Sequence, residues 1–310
     1  MREFKPGGGL RAAACLVLLL LASGCSLYGG VMPPSPSGAP LTRVHDVPFY
    51  AQEEYQCGPA ALAMAMTWSG LPVTPDDLTA QVYTPERKGS IQPDMITAAR
   101  RHGRIAYVIH GADRLAAELD AGNPVVVLQN LGLSWYPVWH YAVAVGLDRD
   151  TDEIILNSGP IRSLHRPWRV FENTWGPDFW GMMVLPPSRL PATAKEKEWL
   201  DASVGLERAR QWAAAAEAYE TAVRHWPQSH DAWIGLGNAR YSLGNADGAV
   251  EAFRRATEVR PDSGIAFNNL AFVLDELGRR DEALAAARKA VSLGGPQVET
   301  FRRTLSDIER

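Results

Sequence analysis

Cys57 stands at the predicted start of an apolar helix, inside a stretch that runs from Gln52 to Trp68 of this 310-residue chain. Gly58 and Pro59 form the break that begins the helix, since a proline in the first turn gives up an N–H that had no partner there. Ala60 to Trp68 is too apolar for a surface helix, so it is expected to run through a core. A sulfur at a helix start lies over free backbone N–H groups and the positive end of the helix dipole, and both favour thiolate over thiol. Attack on an amide then needs a base that shuttles a proton, a residue that fixes the tautomer of that base, and donors for the tetrahedral oxyanion.

Three other residues answer to those roles. His140 begins the apolar run that ends at Gly146, where neither charge nor polarity is expected, and is the candidate base. Asn157 closes the run from Glu153 and is the candidate orienter, its carbonyl oxygen accepting the proton on the far imidazole nitrogen. Gln52 is the candidate oxyanion donor beside the Cys57 backbone N–H, with Gln56 as its rival. Each has a plainer use: Cys57 as a small core residue, His140 as a satisfied structural histidine, Asn157 as a turn residue before Ser158 and Gly159, Gln52 as a loop residue.

The first residues form a targeting signal. Arg2, Lys5 and Arg11 precede an apolar run from Ala12 to Ala22 that is too short to span a bilayer. The run ends at Ala22-Ser23-Gly24-Cys25, which resembles a bacterial lipobox with Ala22 in the place usually held by Leu. The resemblance implies a signal peptide over 1–24, a lipid anchor on Cys25 and, with Ser26 rather than Asp following it, the outer membrane facing the periplasm. An ordinary secretory signal is the alternative. Of the three cysteines, Cys15 leaves with the signal and Cys25 carries lipid, so Cys57 is left without an internal disulfide partner. Residues 25–43, rich in Gly, Pro and Ser, read as a flexible tether.

A domain over 44–190 must position the candidate residues. Val44 to Tyr50 reads as a short strand before the cysteine helix. Thr74-Pro75-Asp76-Asp77 caps a second helix to about Val82, and a third covers Gln92 to Arg101. Ile105 to Ile109 and Val125 to Gln129 read as strands around a helix from Asp113 to Asp120. The runs Val138–Gly146 and Glu153–Asn157 read as an antiparallel hairpin around a charged loop. A centre between Asp148 and Arg149 would set His140 opposite Asn157, with Cβ atoms ~5 Å apart, whereas a one-residue slip would separate them. Pro167 to Trp175 could form a short helix and Trp180 to Leu185 a closing strand, with Pro186-Pro187-Ser188 ending the domain. Six of the ten tryptophans fall from Trp68 to Trp180, most of them suited to core packing and some to walling a groove. The layout is α+β, with the cysteine helix against a mainly antiparallel sheet.

From Lys195 the composition turns to Ala, Glu and Arg with helical periodicity. Trp199, Trp233 and Phe267 recur at the same spacing as Ala215, Ala249 and Ala283, and Pro227 and Pro261 share it. This pattern resembles the tetratricopeptide repeat, an all-α solenoid. It predicts three repeats and a capping helix over 196–310, the last helix carrying Val298, Phe301, Leu305 and Ile308 on one face. Ala287 stands where the third repeat should carry a large aromatic, and Gly295 where it should carry proline.

The stretches Val47–Gln52 and Cys57–Met64, with His140–Gly146 later, resemble the bacteriocin-processing cysteine peptidases, papain-like enzymes that cut leader peptides after a double glycine. The resemblance implies nucleophile, base and oxyanion glutamine at Cys57, His140 and Gln52. Asn157-Ser158 stands where that family usually has Asp-Pro. The expected function is a lipid-anchored cysteine peptidase acting on a peptide or protein, with the repeats binding a protein partner. A peptide-binding scaffold with a weakened site and a thioester-dependent acyl or amide transferase are the alternatives. A formal net charge of -4 gives no footprint for nucleic acid, and no His, Cys or acidic cluster at ligand spacing implies a metal; no cofactor is expected.

Overall fold

The computed structural model describes residues 30–53, 55–176 and 179–310. The expected signal over 1–24 and the lipidation site Cys25 lie outside the described residues. No helix among those described is long and apolar enough to cross a membrane.

Helix α1 (Cys57–Trp68) buries Gly58 through Met66 without a polar interruption, so it is a core helix, as its composition predicts. It packs on a seven-stranded sheet that contains β1 (Leu41–Arg43), β4 (Ile105–His110), β5 (Val125–Asn130), β6 (Trp139–Asp148), β7 (Glu153–Ser158), β8 (Ile161–Pro167) and β9 (Trp180–Leu185). The strands run in the order β4-β9-β5-β6-β7-β8, with β1 also on β6, and every pairing is antiparallel among the described residues. Helix α2 (Pro75–Val82) starts on the expected capping box between Thr74 and Asp77. A small hairpin, β2 (Tyr83–Thr84) and β3 (Gly89–Ser90), leads into α3 (Gln92–Arg101). Helices α4 (Ala112–Asp120) and α5 (Trp168–Trp175) complete the domain.

Two expectations change here. The tether does not run free to residue 43. Leu41, Thr42 and Arg43 pair with Asp148, Leu147 and Gly146, Met32 is buried, and Arg149 reaches the carbonyl of Pro33 at 3.2 Å. The segment from Val44 to Tyr50 is not a strand, because Asp46 sits at φ 61° and Pro48 has no N–H to give a ladder. Its hydrophobic residues Val44 and Val47 are still buried.

The helical region follows the 34-residue period. The pairs are α6 (Glu196–Arg208) with α7 (Trp212–His225), α8 (His230–Ser242) with α9 (Ala246–Val259), and α10 (Gly264–Glu276) with α11 (Arg280–Leu293), closed by α12 (Val298–Glu309). Helix α12 buries Phe301 and Ile308, which is what a capping helix must do. The first repeat is anchored to the sheet domain. Trp199 of α6 is fully buried with its ring centroid 6.4 Å from that of Tyr107 in β4, whose hydroxyl donates to Glu198 at 2.7 Å. Arg114 of α4 closes the junction with a forked bond to the same carboxylate at 2.7 and 3.2 Å.

Small-against-large packing holds the repeats together. A Cβ added at Gly235 in α8 would lie 2.3 Å from Cζ of Tyr219, a ring that is buried and tied through its hydroxyl to Glu207 at 2.6 Å. Gly235→Ala gains about 1 kcal/mol in helix propensity but overpacks by about 1–3 kcal/mol. The expected outcome is a net loss of about 1 kcal/mol in urea unfolding; a gain in stability would show that the ring can move aside.

Candidate active site

The candidate site forms where the β6–β7 ladder stops. Pairing runs from Asp148 opposite Glu153 to Val143 opposite Asn157, and beyond Val143 no strand covers that side of β6. The peptide of Tyr141 is satisfied by other groups. The Gln52 Nε2 donates to the Tyr141 carbonyl at 3.1 Å, and the backbones of Tyr141, Gly58 and Cys57 itself act on the Cys57 sulfur in the sense that favours its anion. Gln52 is clamped from the other end too. Its Oε1 accepts from the Gly159 N–H at 2.8 Å, and its own backbone N–H donates to the Gly159 carbonyl at 3.1 Å. Gly159 holds φ +57° in the turn between β7 and β8, a conformation in which a side chain would be strained.

Cys57, His140 and Gln52 therefore line one cleft of about 790 Å³, together with Tyr55, Arg87, Ser90 and the lip of the β5–β6 loop. That lip is apolar and open: Trp135, Tyr136, Val138 and Trp139 are all more than half exposed. Trp168 and Trp175, by contrast, are core residues, so the tryptophans divide between the two expected uses. The rival Gln56 does not line this cleft, and its Oε1 accepts from Thr79 of α2 at 3.2 Å.

Asn157 is not the orienter. Its side chain is buried, its Oδ1 accepts from the Ser163 N–H at 3.1 Å, and it lines a separate cavity of about 250 Å³ with Val145 and Ile155. The imidazole instead meets the neighbouring residue, His140 Nε2 lying 2.9 Å from Ser158 Oγ. Two features of the hairpin explain the change. The loop centre lies between Asp150 and Thr151, because Asp148 pairs with Glu153 and its Oδ1 accepts from both of those N–H groups. A bulge between Ala144 and Gly146 then inserts one residue into β6. Without the bulge His140 would share a face with Asn157; the extra residue moves it to the face of Ser158. Gly146 is the residue that marks the irregularity, since a Cβ there would meet the Thr42 carbonyl at 2.4 Å.

Burial sets the protonation of the resting site. It pushes the Cys57 thiol above its ordinary value of 9.0, and the bonds from the Tyr141, Gly58 and Cys57 backbones only partly oppose it. Burial also lowers His140 from its ordinary 6.5. Both shifts run against the expected thiolate, favouring the thiol at Cys57 and the neutral imidazole at His140. Because Nε2 is taken by Ser158, Nδ1 is the ring nitrogen left to act as a base. No group of three or more His, Cys, Asp or Glu suited to a metal occurs among the described residues.

Residues 44–177 match the Peptidase C39 like family, and residues 200–258 and 236–297 match the tetratricopeptide repeat. The chain is therefore a Peptidase C39-like domain followed by tetratricopeptide repeats, in agreement with the resemblance carried by its motifs. No curated protein matches it. Among solved structures it is similar to the Sgt2 TPR domain from Aspergillus fumigatus, at 19% identity over 38% of this chain and 79% of that one, with a TM-score of 0.36. The Yersinia enterocolitica type III secretion chaperone SycD, in complex with a peptide of the translocator YopD, gives 15% identity over 36% and 91%, at 0.35. The TPR2B domain of yeast Sti1, in a pHsp70 complex, gives 15% over 37% and 95%, at 0.36.

The protonation of Cys57 can be read directly. Its iodoacetamide alkylation rate should keep rising with pH past 9.0, since the thiolate is the reactive form and burial raises the pKa. A rate already at its plateau at pH 6 would mean a preformed thiolate and contradict this assignment.

Proposed function

We propose that the protein is a lipid-anchored cysteine peptidase of the bacterial cell envelope, held to the membrane through Cys25 and acting on a protein recruited by its repeats. The observation that carries the proposal is the convergence of Cys57, His140 and Gln52 on one cleft, with Gln52 bonded to the carbonyl of Tyr141, the residue after His140. The Peptidase C39-like match supports the chemistry, and the repeats support a protein partner.

In this reading His140 Nδ1 accepts the thiol proton as sulfur attacks the scissile carbonyl. The oxyanion forms beside the Cys57 backbone N–H and the second hydrogen of Gln52 Nε2, the first being held by Tyr141. The imidazolium then gives its proton to the leaving amine. A water deprotonated by His140 hydrolyses the thioester and restores the thiol. Ser158 fixes the ring through Nε2, but as a neutral partner it stabilises imidazolium less than a carboxylate would.

That neutral partner, with the raised thiol, favours a second reading: a peptide-binding scaffold in which catalysis is slow. Incubating the full chain and its Cys57→Ser variant with a cell-envelope extract, and comparing newly formed peptide termini, separates the two. The expected result is a set of new termini that requires Cys57, with a rate that falls as pH drops through a value below 6.5, where His140 becomes protonated and can no longer accept. Identical termini from both proteins would leave only the scaffold.

A further inference from the structure

The cleft continues past Cys57 into a second cavity of about 330 Å³, which shares Arg87, Ser90, Ile91 and Trp139 with it. Its apolar walls are Ile91, Leu128, Trp139, Trp175 and Trp180, with Arg87, Ser90 and Gln92 at its polar side. The sheet register explains why aromatic and aliphatic side chains gather there. Leu128 pairs with Tyr141 and Asn130 with Trp139, while Val126 opposite Met182 brings Leu128 level with Trp180, so these residues stand on one face. Trp175, at the end of α5, is fixed against that row by donating its indole N–H to the Trp180 carbonyl at 2.7 Å. The walls are therefore rigid, with both Trp175 and Trp180 less than a tenth exposed, and only Trp139 stands open at 53%.

The cavity also adjoins the nucleophile. Ser90 of β3 lies against Gly58, the residue after Cys57, so closely that a Cβ on that glycine would fall 2.2 Å from Ser90 Oγ. The Ser90 hydroxyl is buried and has no hydrogen-bond partner. A buried hydroxyl left unbonded is costly, and an extended peptide laid in the cleft would bring carbonyl oxygens that could accept from it.

We propose, on the basis of the peptidase reading, that this cavity is a specificity pocket for one aromatic side chain of the substrate close to the scissile bond, with the Ser90 hydroxyl bonding a carbonyl of the same peptide. Its volume is at the small end for ligand sites and suits a single ring rather than a small molecule or a helix. An apolar wall with this many aromatic faces gains most from a flat ring stacked edge-to-face or offset. A substrate of this kind differs from the double-glycine leaders implied by the motif resemblance, for which a glycine would leave the cavity empty.

The test uses the full chain and ten-residue peptides that differ only in carrying Phe, Leu, Ala or Gly at one scanned position. Phe should exceed Gly in kcat/KM by about tenfold to a hundredfold at one fixed position within three residues of the cut, the range expected for burying one ring. Leu128→Trp, which fills the cavity, and Trp139→Ala, which removes its exposed wall, should each cut that ratio about tenfold. The Trp139 change alters a half-exposed residue, so it tests the pocket if the filled variant fails to fold. Cys57→Ser binding of the same uncut peptides, followed by tryptophan fluorescence, reports on the pocket separately from catalysis. Selective Phe binding without cleavage by the intact chain would sink the peptidase reading and keep the pocket. Cleavage with equal or greater preference for Gly, or Phe and Gly peptides bound equally, overturns the pocket and leaves the peptidase reading standing.

Discussion

The site depends on one backbone peptide left without a strand beside it. At Tyr141 the sheet would otherwise have carried a ladder partner, and a polar peptide kept from water must bond to something. Here the Gln52 amide donates to the carbonyl, and the backbone of Tyr141 acts on the Cys57 sulfur in the sense that favours its anion. The same unmet requirement thus fixes the entrance of the chain into α1, the position of the sulfur and the depth of the cleft. Gln52 is consequently both a structural clamp, tying β6 to the Gly159 turn, and the candidate oxyanion donor in the Cys57 cleft. Replacing it would disturb position and chemistry together.

Holding a thiol against a sheet edge has an electrostatic consequence. The helix start and three backbone donors favour the anion, yet the surrounding apolar core withdraws water, and the second effect is the larger. The same loss of water keeps His140 neutral. In the proposed peptidase, proton transfer is then deferred to the moment of attack, when the developing charge moves onto a carbonyl oxygen that has its own donors. A peptide that closes the cleft and one that merely binds would affect this pair differently, which is why substrate fit and reactivity are coupled in such a site.

Much of the architecture was legible in the sequence because it rests on local chemistry. The apolar run after Cys57, the Thr74 capping box and the 34-residue period each specify an element within a few residues of themselves. The candidate nucleophile and base could be chosen for the same reason: a thiol at a helix start and a histidine heading an apolar strand stand out by setting. The orienter could not. Its identity depends on whether β6 contains an even or odd number of residues between the loop and His140, and the bulge at Val145 changes that parity. Gly146 was the available signal, being a glycine inside a strand, which marks a bulge or a close backbone approach. The β8 strand and the small β2–β3 hairpin were also missed: β8 is basic and largely exposed, and β2 and β3 are two residues each, too short to carry an alternating apolar pattern. The hairpin matters most, because it supplies Ser90 to the cleft.

The junction through Trp199, Glu198 and Arg114 ties the first repeat to the Peptidase C39-like domain, so in the proposed peptidase a protein held by the solenoid would be presented to the cleft in a restricted orientation. The central claim, however, is that His140, steadied by Ser158, removes the proton from Cys57 only as a substrate carbonyl is engaged. The most direct measurement is the rate at which a peptidyl acyloxymethyl ketone forms an intact-mass adduct on Cys57 at neutral pH. The account predicts rapid labelling of the unaltered chain, labelling slowed by about tenfold or more in Ser158→Ala, and none within the same time in His140→Ala. Equal labelling of all three would show that the imidazole takes no part, and the account would fail.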